Sequence, residues 1–395
     1  MRNGLRILDS DMHIVEPADL WEKYIDDRYR DRAPKVLGGY LLGPYGLMDG
    51  HMLPTVDSHA RERMKGMNRW VGPHLAGHVG RGFDAVAQLD AMDQEGVDVA
   101  VLFPTFGLYV MAVDGLEAGF AAAVCRAYNN WLYDFCQVNP TRLKGAAMIP
   151  PHDIAEAIKE TRRAVRDLGF VSAFLHPTTV DGRQWHDRYY DPLWAELQEL
   201  DVPVGFHEGT GSIGRQPGDQ FGKNRLMRHV CSHPIAMMYT SLSLIVGGVL
   251  EAFPRLRVGL LECNVGWVPF WLDRMDRDFA RLAEWDAPTL TMKPSEYFHR
   301  QVSLGASCMP RREVEMRAAI GLDNIMWGSD YPHPEGTWPR TREMMTGVFR
   351  GLPEEDIEAM LGGNAAAFYG FDREKLAPLV DRIGPERSWF RTGAA

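Results

Sequence analysis

Cysteine is scarce in this sequence, and its arrangement argues against two kinds of site. Five cysteines occur among 395 residues, and no two of them are spaced as a Cys-x-x-Cys pair. An odd number of widely separated cysteines argues against a disulfide framework and against a zinc site made of thiolates. We therefore expect the chain to work in a reducing, cytoplasmic environment.

Long apolar runs and clusters of basic residues are also missing. The polar residues 9–11 follow the amino terminus too closely to leave room for the apolar region of a secretory signal. The longest uncharged stretch, residues 231–250, contains a histidine and a proline, which favours a buried helix over a membrane span. With 43 basic and 53 acidic residues, the net charge is −10. We expect a small-molecule substrate as the partner, and neither a nucleic acid nor a membrane.

No glycine-rich turn follows the first predicted strand, which ends at His13 and continues as Ile-Val-Glu-Pro. Doubly wound sheets that bind dinucleotides need such a turn, so its absence favours a closed barrel over an open sheet. The composition, with 45% hydrophobic residues, is that of an ordinary globular protein with a substantial core. A single large domain is compatible with the length, because barrels of this kind often exceed about 250 residues.

Short β-rich segments alternate with helical patterns along almost the whole chain. The eight predicted strands are residues 6–13, 97–105, 143–150, 171–177, 202–208, 257–264, 301–306 and 324–330. Helices are predicted between them at residues 83–94, 115–138, 154–168, 192–200, 234–253, 267–285 and 311–320, and after them at 338–350 and 354–369. Eight such units predict a (β/α)8 TIM barrel of the α/β class, with a parallel sheet and right-handed crossovers.

The predicted barrel spans residues 1–370 and contains one long insertion. Residues 28–80, after the first strand, form an irregular segment with four histidines, His51, His59, His74 and His78. An active-site lid would lie at this position, and the histidine spacing matches no zinc signature. Deleting part of residues 68–78 should then change KM or the substrate range. Residues 371–395 form a C-terminal tail without a predicted element.

Asp11 and His13 lie two residues apart near the end of the first predicted strand. Side chains at this spacing point to the same face of a strand, and barrel active sites are built at the carboxyl ends of the strands. Taken alone, the Asp-x-His triplet is weak evidence for an active site, because a surface carboxylate beside a histidine that is hydrogen-bonded within the protein has the same pattern. The ends of the other strands decide between the two interpretations.

Side chains of the metal-binding types end four other predicted strands: His176, His207, Glu262 and Asp330. Each follows an apolar run, so each is expected to be buried. Burying one such group without a partner costs several kcal/mol, whereas a shared cation stabilises the whole set. Imidazole and carboxylate ligands without thiolates favour zinc, iron or manganese. The sequence therefore predicts a metal centre at the carboxyl end of the barrel.

Four motifs in this sequence resemble those of a known family. They are Asp-x-Asp-x-His-x-x-Glu-Pro at residues 9–17, Pro-Val-Gly-Phe-His-Glu-Gly at 203–209, Glu-Cys-Asn-Val-Gly-Trp-Val-Pro at 262–269 and Trp-Gly-Ser-Asp-Tyr-Pro-His-Pro at 327–334. Together they resemble the amidohydrolase-related branch of the amidohydrolase superfamily. This branch includes aminocarboxymuconate-semialdehyde decarboxylase and γ-resorcylate decarboxylase, and the resemblance covers residues 7–369.

The resemblance implies metal ligands at Asp11, His13, His207 and Asp330, with Asp330 also close to the reacting atoms. Asp11 departs from the His-x-His start that is common in the superfamily, and the decarboxylase branch often has a carboxylate there. Glu262 stands near the sixth strand, where the decarboxylases use a histidine, so their proton-transfer scheme is not carried over unchanged. A carboxylated aromatic or cyclic acid is the substrate class that the resemblance implies.

One divalent ion would support either hydrolysis or non-oxidative decarboxylation of a small carboxylated molecule. The candidate catalytic residues that move the proton are Asp330, Glu262 and His176. For Glu262, an orienting contact to a metal ligand is the alternative role. His333 is a further candidate, which we interpret as a loop histidine near the rim of the pocket.

The ligand set is also rich enough for a second metal. With His176 and Glu262 added, it contains three carboxylates and three imidazoles, which would suit two irons and an oxygenase or hydroxylase, a chemistry that the superfamily includes. His176 distinguishes the two alternatives. A His176 that binds a second ion favours the oxygenase, and a His176 that bonds to substrate favours the one-metal enzyme. A catalytically silent binding protein is disfavoured because the ligand set is complete. His229 and His233 are expected at the start of a helix, outside the metal set.

An aromatic-rich segment follows the sixth predicted strand. Its members are Trp267, Phe270, Trp271, Phe279 and Trp285. Aromatic residues at helical spacing usually pack in the core or in an oligomer interface. The resemblance implies a homodimer, because barrels of this branch are commonly dimers.

Overall fold

Eight parallel strands form the centre of the molecule, and each pairs with the next one along the chain. The computed structural model describes residues 4–38, 45–53, 75–209, 216–222, 224–333, 335–380 and 382–391. The strands, numbered here from first to eighth, are Leu8–His13, Val99–Phe103, Leu143–Met148, Ser172–Leu175, Val204–His207, Val258–Leu261, Val302–Ser307 and Ile325–Gly328. All eight predicted strands are confirmed, and most are shorter at their ends than predicted.

The first and eighth strands meet and complete a (β/α)8 barrel. The backbone N–H of His13 donates to the carbonyl of Tyr331 at 2.7 Å, and the N–H of Asp330 donates to the carbonyl of Asp11 at 3.0 Å. The Ser10 hydroxyl donates to the carbonyl of Trp327 at 2.9 Å. Because these bonds lie at the carboxyl ends of both strands, they bring two of the predicted metal-binding segments side by side.

Helices connect the strands and cover the outside of the sheet. The α-helices are Leu20–Tyr24, Ala85–Glu95, Gly107–Val110, Ala118–Cys136, Ile154–Arg166, Asp191–Glu199, Arg225–Val246, Val249–Ala252, Val268–Asp286, Pro294–Gln301, Arg311–Glu315, Arg317–Ile320, Thr341–Phe349, Glu354–Glu358, Asn364–Tyr369 and Arg373–Val380. Two long ones begin at side-chain caps, where Asp84 accepts from the N–H of Ala87 and Asp153 accepts from the N–H of Glu156. With both faces covered, the strands are buried, as their apolar sequences require.

The helix after the fifth strand corrects one prediction. It runs over Arg225–Val246, so it begins well before residue 234, and it contains Pro234 in its interior. The side chain of Asn224 accepts from the N–H of Met227 and caps this earlier start. A proline is tolerated where packing holds the helix, so it did not mark the beginning. His229 and His233 are therefore inside the helix, not at its start. The helix Pro294–Gln301 was not predicted.

The insertion after the first strand is more regular than predicted. Its described part contains a 3-10 helix, Asp27–Arg32, and an antiparallel sheet of three short strands, Lys35–Gly38, Tyr45–Met48 and His51–Leu53. The guanidinium of Arg32 joins this sheet to the barrel, with bonds of 2.9 Å to Asp49 and 2.7 Å to Glu117. Residues 54–74, which include the predicted lid histidines His59 and His74, lie outside the described residues.

The C-terminal tail carries structure that the sequence did not predict. It contains the helix Arg373–Val380 and a 3-10 helix, Arg387–Phe390. The N–H of Leu5 donates to the carbonyl of Pro385 at 2.8 Å, and Phe390 is buried. The tail therefore returns to the amino-terminal segment of the chain. In the described ranges, no helix is both long and apolar enough to cross a membrane.

Candidate metal centre

Asp11, His13 and His207 meet at the carboxyl end of the barrel. Nε2 of His207 lies 3.0 Å from Oδ1 of Asp11, and Nε2 of His13 lies 3.7 Å from the same oxygen. All three side chains are fully buried. The first and fifth strands supply these residues, so the barrel brings together two segments nearly two hundred positions apart.

The two imidazoles present their lone pairs to the same place. Nδ1 of His13 lies 2.8 Å from the carbonyl of Pro104, and Nδ1 of His207 lies 2.9 Å from the carbonyl of Glu208. A carbonyl can only accept, so Nδ1 of each ring carries the hydrogen and Nε2 carries the lone pair. A backbone carbonyl that fixes the tautomer in this way is the usual partner of a metal-binding histidine.

Asp330 and His333 complete the cluster from the loop after the eighth strand. Oδ1 of Asp330 lies 3.4 Å from Nε2 of His13 and 2.8 Å from Nδ1 of His333. The His333 ring also stacks on the His13 ring, with centroids 4.1 Å apart. Nε2 of His333 is 3.2 Å from the hydroxyl of Thr105. His333 is thus a loop histidine in contact with two predicted ligands.

Glu262 reaches the same centre from the loop after the sixth strand. Oε2 of Glu262 lies 3.6 Å from Nε2 of His207, and Oε1 lies 3.4 Å from Nε2 of His233. Burial alone would raise the pKa of Glu262, but the attraction of His233 and His207 lowers it. Glu262 therefore sits in the centre as a carboxylate with an imidazole partner on each side.

The backbone is strained where Glu262 and Asp330 enter the site. Glu262 has φ 48° and Asp330 has φ 57°, in the left-handed region that residues other than glycine rarely adopt. Both residues lie just beyond the end of a barrel strand and are bonded to a neighbouring one. The N–H of Glu262 donates to the carbonyl of Gly305 on the seventh strand at 3.1 Å, and the N–H of Asp330 donates to the carbonyl of Asp11 on the first strand at 3.0 Å. Strain of this kind persists where the surroundings hold it, and it is common in functional sites.

Asp11 is fixed from three sides. Oδ2 of Asp11 accepts from the hydroxyl of Ser307 at 2.5 Å, and its N–H donates to Oδ1 of Asp9 at 3.1 Å. A side chain at Gly328 would meet Cβ of Asp11 at 2.7 Å and the Ser307 oxygen at 2.8 Å. Only glycine leaves room for this contact, so the eighth strand allows Ser307 and Asp11 to meet. Burial raises the pKa of Asp9, beneath them, to about 7.

The residues of the centre fit a divalent cation. Nε2 of His13 and Oδ2 of Asp330 are buried and make no hydrogen bond within the described part of the chain. Such orphaned atoms are costly unless something binds them. The Nε2 lone pair of His207 also faces a carboxylate oxygen of Asp11, and two acceptors at 3.0 Å repel unless a cation or a proton lies between them. Nitrogen and oxygen donors of this kind suit zinc, manganese or iron.

The electrostatics of the centre without a cation are unfavourable for charge on Asp330. Burial, followed by the charges of Glu262, Glu335 and Asp11, raises the pKa of Asp330 well above its ordinary value. Burial and the neighbouring imidazoles lower the pKa of His13. The site therefore favours a neutral imidazole at His13, as metal binding requires, and a carboxyl at Asp330 that holds a proton readily.

His176 is not brought into this cluster. Its Nε2 lies 3.2 Å from Oε1 of Glu208, and its Nδ1 accepts from the N–H of Thr178 at 3.1 Å. Because Nδ1 is the acceptor, Nε2 carries the hydrogen and has no lone pair for a metal. Among the described residues, the groups that could hold an ion include Glu262 but not His176. The second metal at His176 and Glu262, the alternative from the sequence, therefore gains no support from these contacts.

Sequence reasoning missed two contacts of the site, His233 and Glu208. His233 is buried on the long helix after the fifth strand, and its ring meets that of His229 at 4.9 Å. The spacing of the two histidines on one helix face was the available signal, but the predicted start of the helix was wrong. Glu208 stands inside the motif Gly-Phe-His-Glu-Gly, and only the fold shows that it pairs with His176.

The described end of the insertion touches the same loop as Asp330. Nδ1 of His78 lies 2.7 Å from the hydroxyl of Tyr331, and its ring lies 5.2 Å from that of Trp338. Tyr331 directly follows Asp330. Of the predicted lid histidines, His78 is therefore linked to the centre, whereas His51 is exposed.

Comparisons with known proteins agree on the fold. A family model described as Amidohydrolase matches residues 9–371. The γ-resorcylate decarboxylase of Rhodococcus jostii is 27% identical over 257 residues, which cover 62% of this chain and 76% of that one. A crystal structure of an amidohydrolase from Mycobacterium avium subsp. paratuberculosis has a TM-score of 0.71 at 24% identity, covering 93% of this chain and 99% of its own. The dihydroxybenzoic acid decarboxylase of Polaromonas sp., solved with manganese and 2-nitroresorcinol, has a TM-score of 0.64 at 19% identity, covering 94% and 99%.

Proposed function

The chain belongs to the amidohydrolase family, and on that premise we propose that it is a metal-dependent, non-oxidative decarboxylase of a hydroxylated aromatic acid. One observation carries the proposal. The imidazole of His13 lies close to carboxylate oxygens of both Asp11 and Asp330, and the imidazole of His207 lies against Asp11. The tautomers of both imidazoles are fixed, and Nε2 of His13 and Oδ2 of Asp330 have no hydrogen-bond partner in the described part of the chain. The decarboxylase relatives named above supply the substrate class.

Asp11, His13, His207 and Asp330 are the proposed ligands of one divalent ion, manganese or zinc ahead of iron. When bound, the ion would polarise the carboxylate and a neighbouring hydroxyl oxygen of the substrate. His13 and His207 would bind through Nε2, because their Nδ1 atoms are engaged by carbonyl groups. Ser307 and Asp9 hold Asp11 in place for this role.

Asp330 is the proposed proton donor. Nδ1 of His333 lies 2.8 Å from Oδ1, and Oδ2 is buried and has no hydrogen-bond partner in the described part of the chain. The proton passes from Asp330 to the ring carbon that bears the carboxylate. The bond between that carbon and the carboxylate then breaks, its electron pair restores the aromatic ring, and CO2 leaves. Solvent returns the proton to Asp330, so no oxidant or reductant is consumed.

Glu262 is proposed to orient His207 and balance charge, and not to bind a second ion. Its carboxylate has imidazole partners on both sides, His207 and His233. The two-iron oxygenase gains no support from this geometry, because both ring nitrogens of His176 are engaged elsewhere. Hydrolysis would use the same metal ligands, and only the products of the reaction separate it from decarboxylation.

The test is metal-dependent release of CO2. Protein stripped with a chelator and reloaded with manganese or zinc is incubated under nitrogen with a panel of 2-hydroxybenzoates, including 2,6-dihydroxybenzoate. We expect CO2 and the matching phenol in equal amounts from at least one acid, only after reloading, and about one ion per chain. A need for oxygen would favour the oxygenase, and turnover of esters or amides without CO2 would favour a hydrolase.

A homodimer is proposed from the exposed aromatic residues of the helix Val268–Asp286. Phe270 is 66% exposed and Trp285 is 70% exposed, whereas Trp267 and Trp271 pack against the core. Large aromatic side chains left in solvent on one helix are typical of an interface between proteins. Trp285→Arg should convert a dimer to a monomer in size-exclusion chromatography with light scattering, and a wild-type monomer would contradict the proposal.

A reducing, cytoplasmic location is proposed from the cysteines. All five are unpaired, and Cys125, Cys136 and Cys263 are buried. Burial raises the pKa of the Cys136 thiol to about 12, so this group resists oxidation and exchange. A disulfide-free chain of this kind needs no oxidising compartment. Fractionation of the native cells with an antibody against the chain tests the location.

A further inference from the structure

Glu208 is a fully buried carboxylate whose two oxygens have unequal surroundings. Oε1 lies 3.2 Å from Nε2 of His176 and accepts from the N–H of Gly209 at 3.0 Å. It also accepts from Nε2 of Gln216. Oε2 is equally buried but makes no hydrogen bond within the ranges that the structure describes. Three donors therefore meet one oxygen and none meets the other.

The imbalance is fixed by the groups around Glu208. The N–H of Thr178 donates to Nδ1 of His176, so the hydrogen of that ring is on Nε2 and points to Oε1. Gln216 is held in turn, because its amide also donates to the carbonyl of Gly209 at 2.9 Å. An ionised carboxylate has room for about four hydrogen bonds, and a buried oxygen without one is costly. Oε2 is thus a preformed acceptor that awaits a donor.

The position of Glu208 places this acceptor beside the metal centre. Glu208 follows the proposed ligand His207 directly, and consecutive Cα atoms lie about 3.8 Å apart. The next residue, Gly209, cannot carry a side chain, because a Cβ there would lie 2.8 Å from the ring of Tyr109. The charge of Glu208 also acts on the imidazole of His233, which lies 3.4 Å from Glu262, so the Glu208 carboxylate lies near the centre.

We propose that Oε2 of Glu208 accepts a hydrogen bond from a second ring hydroxyl of the substrate. This hydroxyl is distinct from the one beside the carboxylate that would bind the metal. The inference rests on the proposed function and assigns Glu208 as a residue that selects among hydroxylated aromatic acids. His176 and Gln216 act as positioning residues that aim Glu208. No bond is made or broken at Glu208, so the metal and Asp330 carry the reaction without it.

The first test compares substrates on the wild-type protein. KM is measured for 2-hydroxybenzoate and for the dihydroxybenzoates that add one hydroxyl at each remaining position. The hydroxyl that meets Glu208 should lower KM about tenfold or more at one ring position, with a smaller effect on kcat. Equal KM values across the series overturn the inference, because Oε2 would then bind water only.

The second test is Glu208→Gln, which changes the acceptor into a donor without changing its shape. The three donors at Oε1 hold the amide oxygen there, so the NH2 group takes the place of Oε2. KM for the preferred dihydroxy acid should rise about tenfold, whereas KM for 2-hydroxybenzoate should stay within about twofold. An equal loss with both substrates would mean a structural role and would overturn the inference.

Glu160→Gln is the matched control, since Glu160 is a buried carboxylate on the outer helix Ile154–Arg166 that bonds Asn129 and Arg163. It should not alter the ratio of the two KM values. Metal content and melting temperature are measured for every variant. If Glu208→Gln does not fold, the wild-type substrate series still decides. If no acid releases CO2, the proposed function fails, and Glu208 is then tested separately by binding. Calorimetry measures the affinities of resorcinol and of phenol for the metal-loaded protein, and equal affinities would overturn the inference.

Discussion

The carboxyl group of Asp330 is held by contacts on several sides before any substrate arrives. Its backbone has a left-handed φ of 57°, its N–H donates to the carbonyl of Asp11, and Oδ1 meets Nδ1 of His333. Oδ2 has no hydrogen-bond partner in the part of the chain that the structure describes. A group so fixed in position can serve as a ligand and as a proton donor without reorganising, which is how enzymes lower barriers.

Asp330→Asn should remove the transferable proton while keeping an oxygen that can face the ion. We expect kcat to fall by about 10²- to 10⁴-fold, with metal content and melting temperature close to those of the wild type. Steady-state kinetics with elemental analysis makes the measurement. Asp98→Asn, at the opposite end of the barrel, is the matched control and should leave kcat unchanged. A fully active Asp330→Asn variant would contradict the role of Asp330 as the proton donor.

Ser307→Ala should weaken the metal site through Asp11. Its hydroxyl donates to Oδ2 of Asp11 at 2.5 Å, and loss of such an orienting contact typically costs about 10- to 100-fold in metal affinity. Competition with a chelating dye measures the affinity, and activity should return when excess metal is added. Ser172→Ala, at the start of the fourth strand, is the control. Unchanged affinity in Ser307→Ala would show that Asp11 needs no such support.

The sequence could indicate His207 and Asp330 because each follows an apolar strand, where a polar side chain has to be explained, and Asp11 and His13 because they lie two residues apart in a motif that resembles a known family. His233 was missed, because it reaches Glu262 from a helix whose start was obscured by an internal proline. The partner of His176 could not be predicted either. The tautomer of a histidine depends on which group lies opposite each ring nitrogen, and only the fold shows those groups. Contacts between distant segments decide such roles, and spacing along one segment does not.

At the scale of elements, the barrel strands were predictable and the additions to them were not. Buried strands such as Val99–Phe103 are continuous apolar runs, which leave a clear pattern in the sequence. The three short strands of the insertion leave no such pattern, because strands of three or four residues are shorter than any periodicity can show. The tail helix Arg373–Val380 contains a proline that hid it in the same way.

The insertion should influence substrate binding through Tyr331. Tyr331→Phe removes the hydroxyl that lies 2.7 Å from Nδ1 of His78, and with it the described link between the insertion and the loop of Asp330. We expect KM to rise about three- to tenfold, because one hydrogen bond contributes about 0.5–1.5 kcal/mol, while kcat changes less. Tyr24→Phe, whose hydroxyl bonds Asp134 on the surface, is the control. If KM is the same in Tyr331→Phe and Tyr24→Phe, the insertion does not influence substrate binding.

The amino-terminal end of the barrel should show a pH-dependent stability that centres on Asp98. Burial raises the pKa of Asp98 to about 7, against the hydrogen bond from the N–H of Ile7. Between about pH 4 and pH 7 the folded chain keeps the proton on Asp98, whereas an unfolded chain has released it. The contribution of Asp98 to the free energy of unfolding is therefore complete below about pH 4 and is lost as the pH rises through 7. Asp98→Asn has no proton to lose. Its stability relative to the wild type should therefore rise between pH 5 and pH 8, by at most about 4 kcal/mol. Urea unfolding at both values checks this, and a difference independent of pH would contradict it.

At the scale of the whole molecule, closure of the barrel is what makes the centre. The backbone bonds between the first and eighth strands place Asp11 beside Asp330, and the fifth strand brings His207 across the barrel. No single segment holds more than two of the proposed ligands. The metal site and the folded barrel should therefore depend on each other, as binding to the native state alone implies.

The most direct measurement of the central claim is the fate of the proton. Metal-loaded protein is incubated under nitrogen in deuterium oxide with 2,6-dihydroxybenzoate or the best acid of the panel, and the product is examined by NMR. The proposed reaction predicts one deuterium, at the carbon that lost the carboxylate, together with one CO2 for each acid consumed. A product that keeps its carboxylate, gains an oxygen from water or forms only in air would contradict decarboxylation.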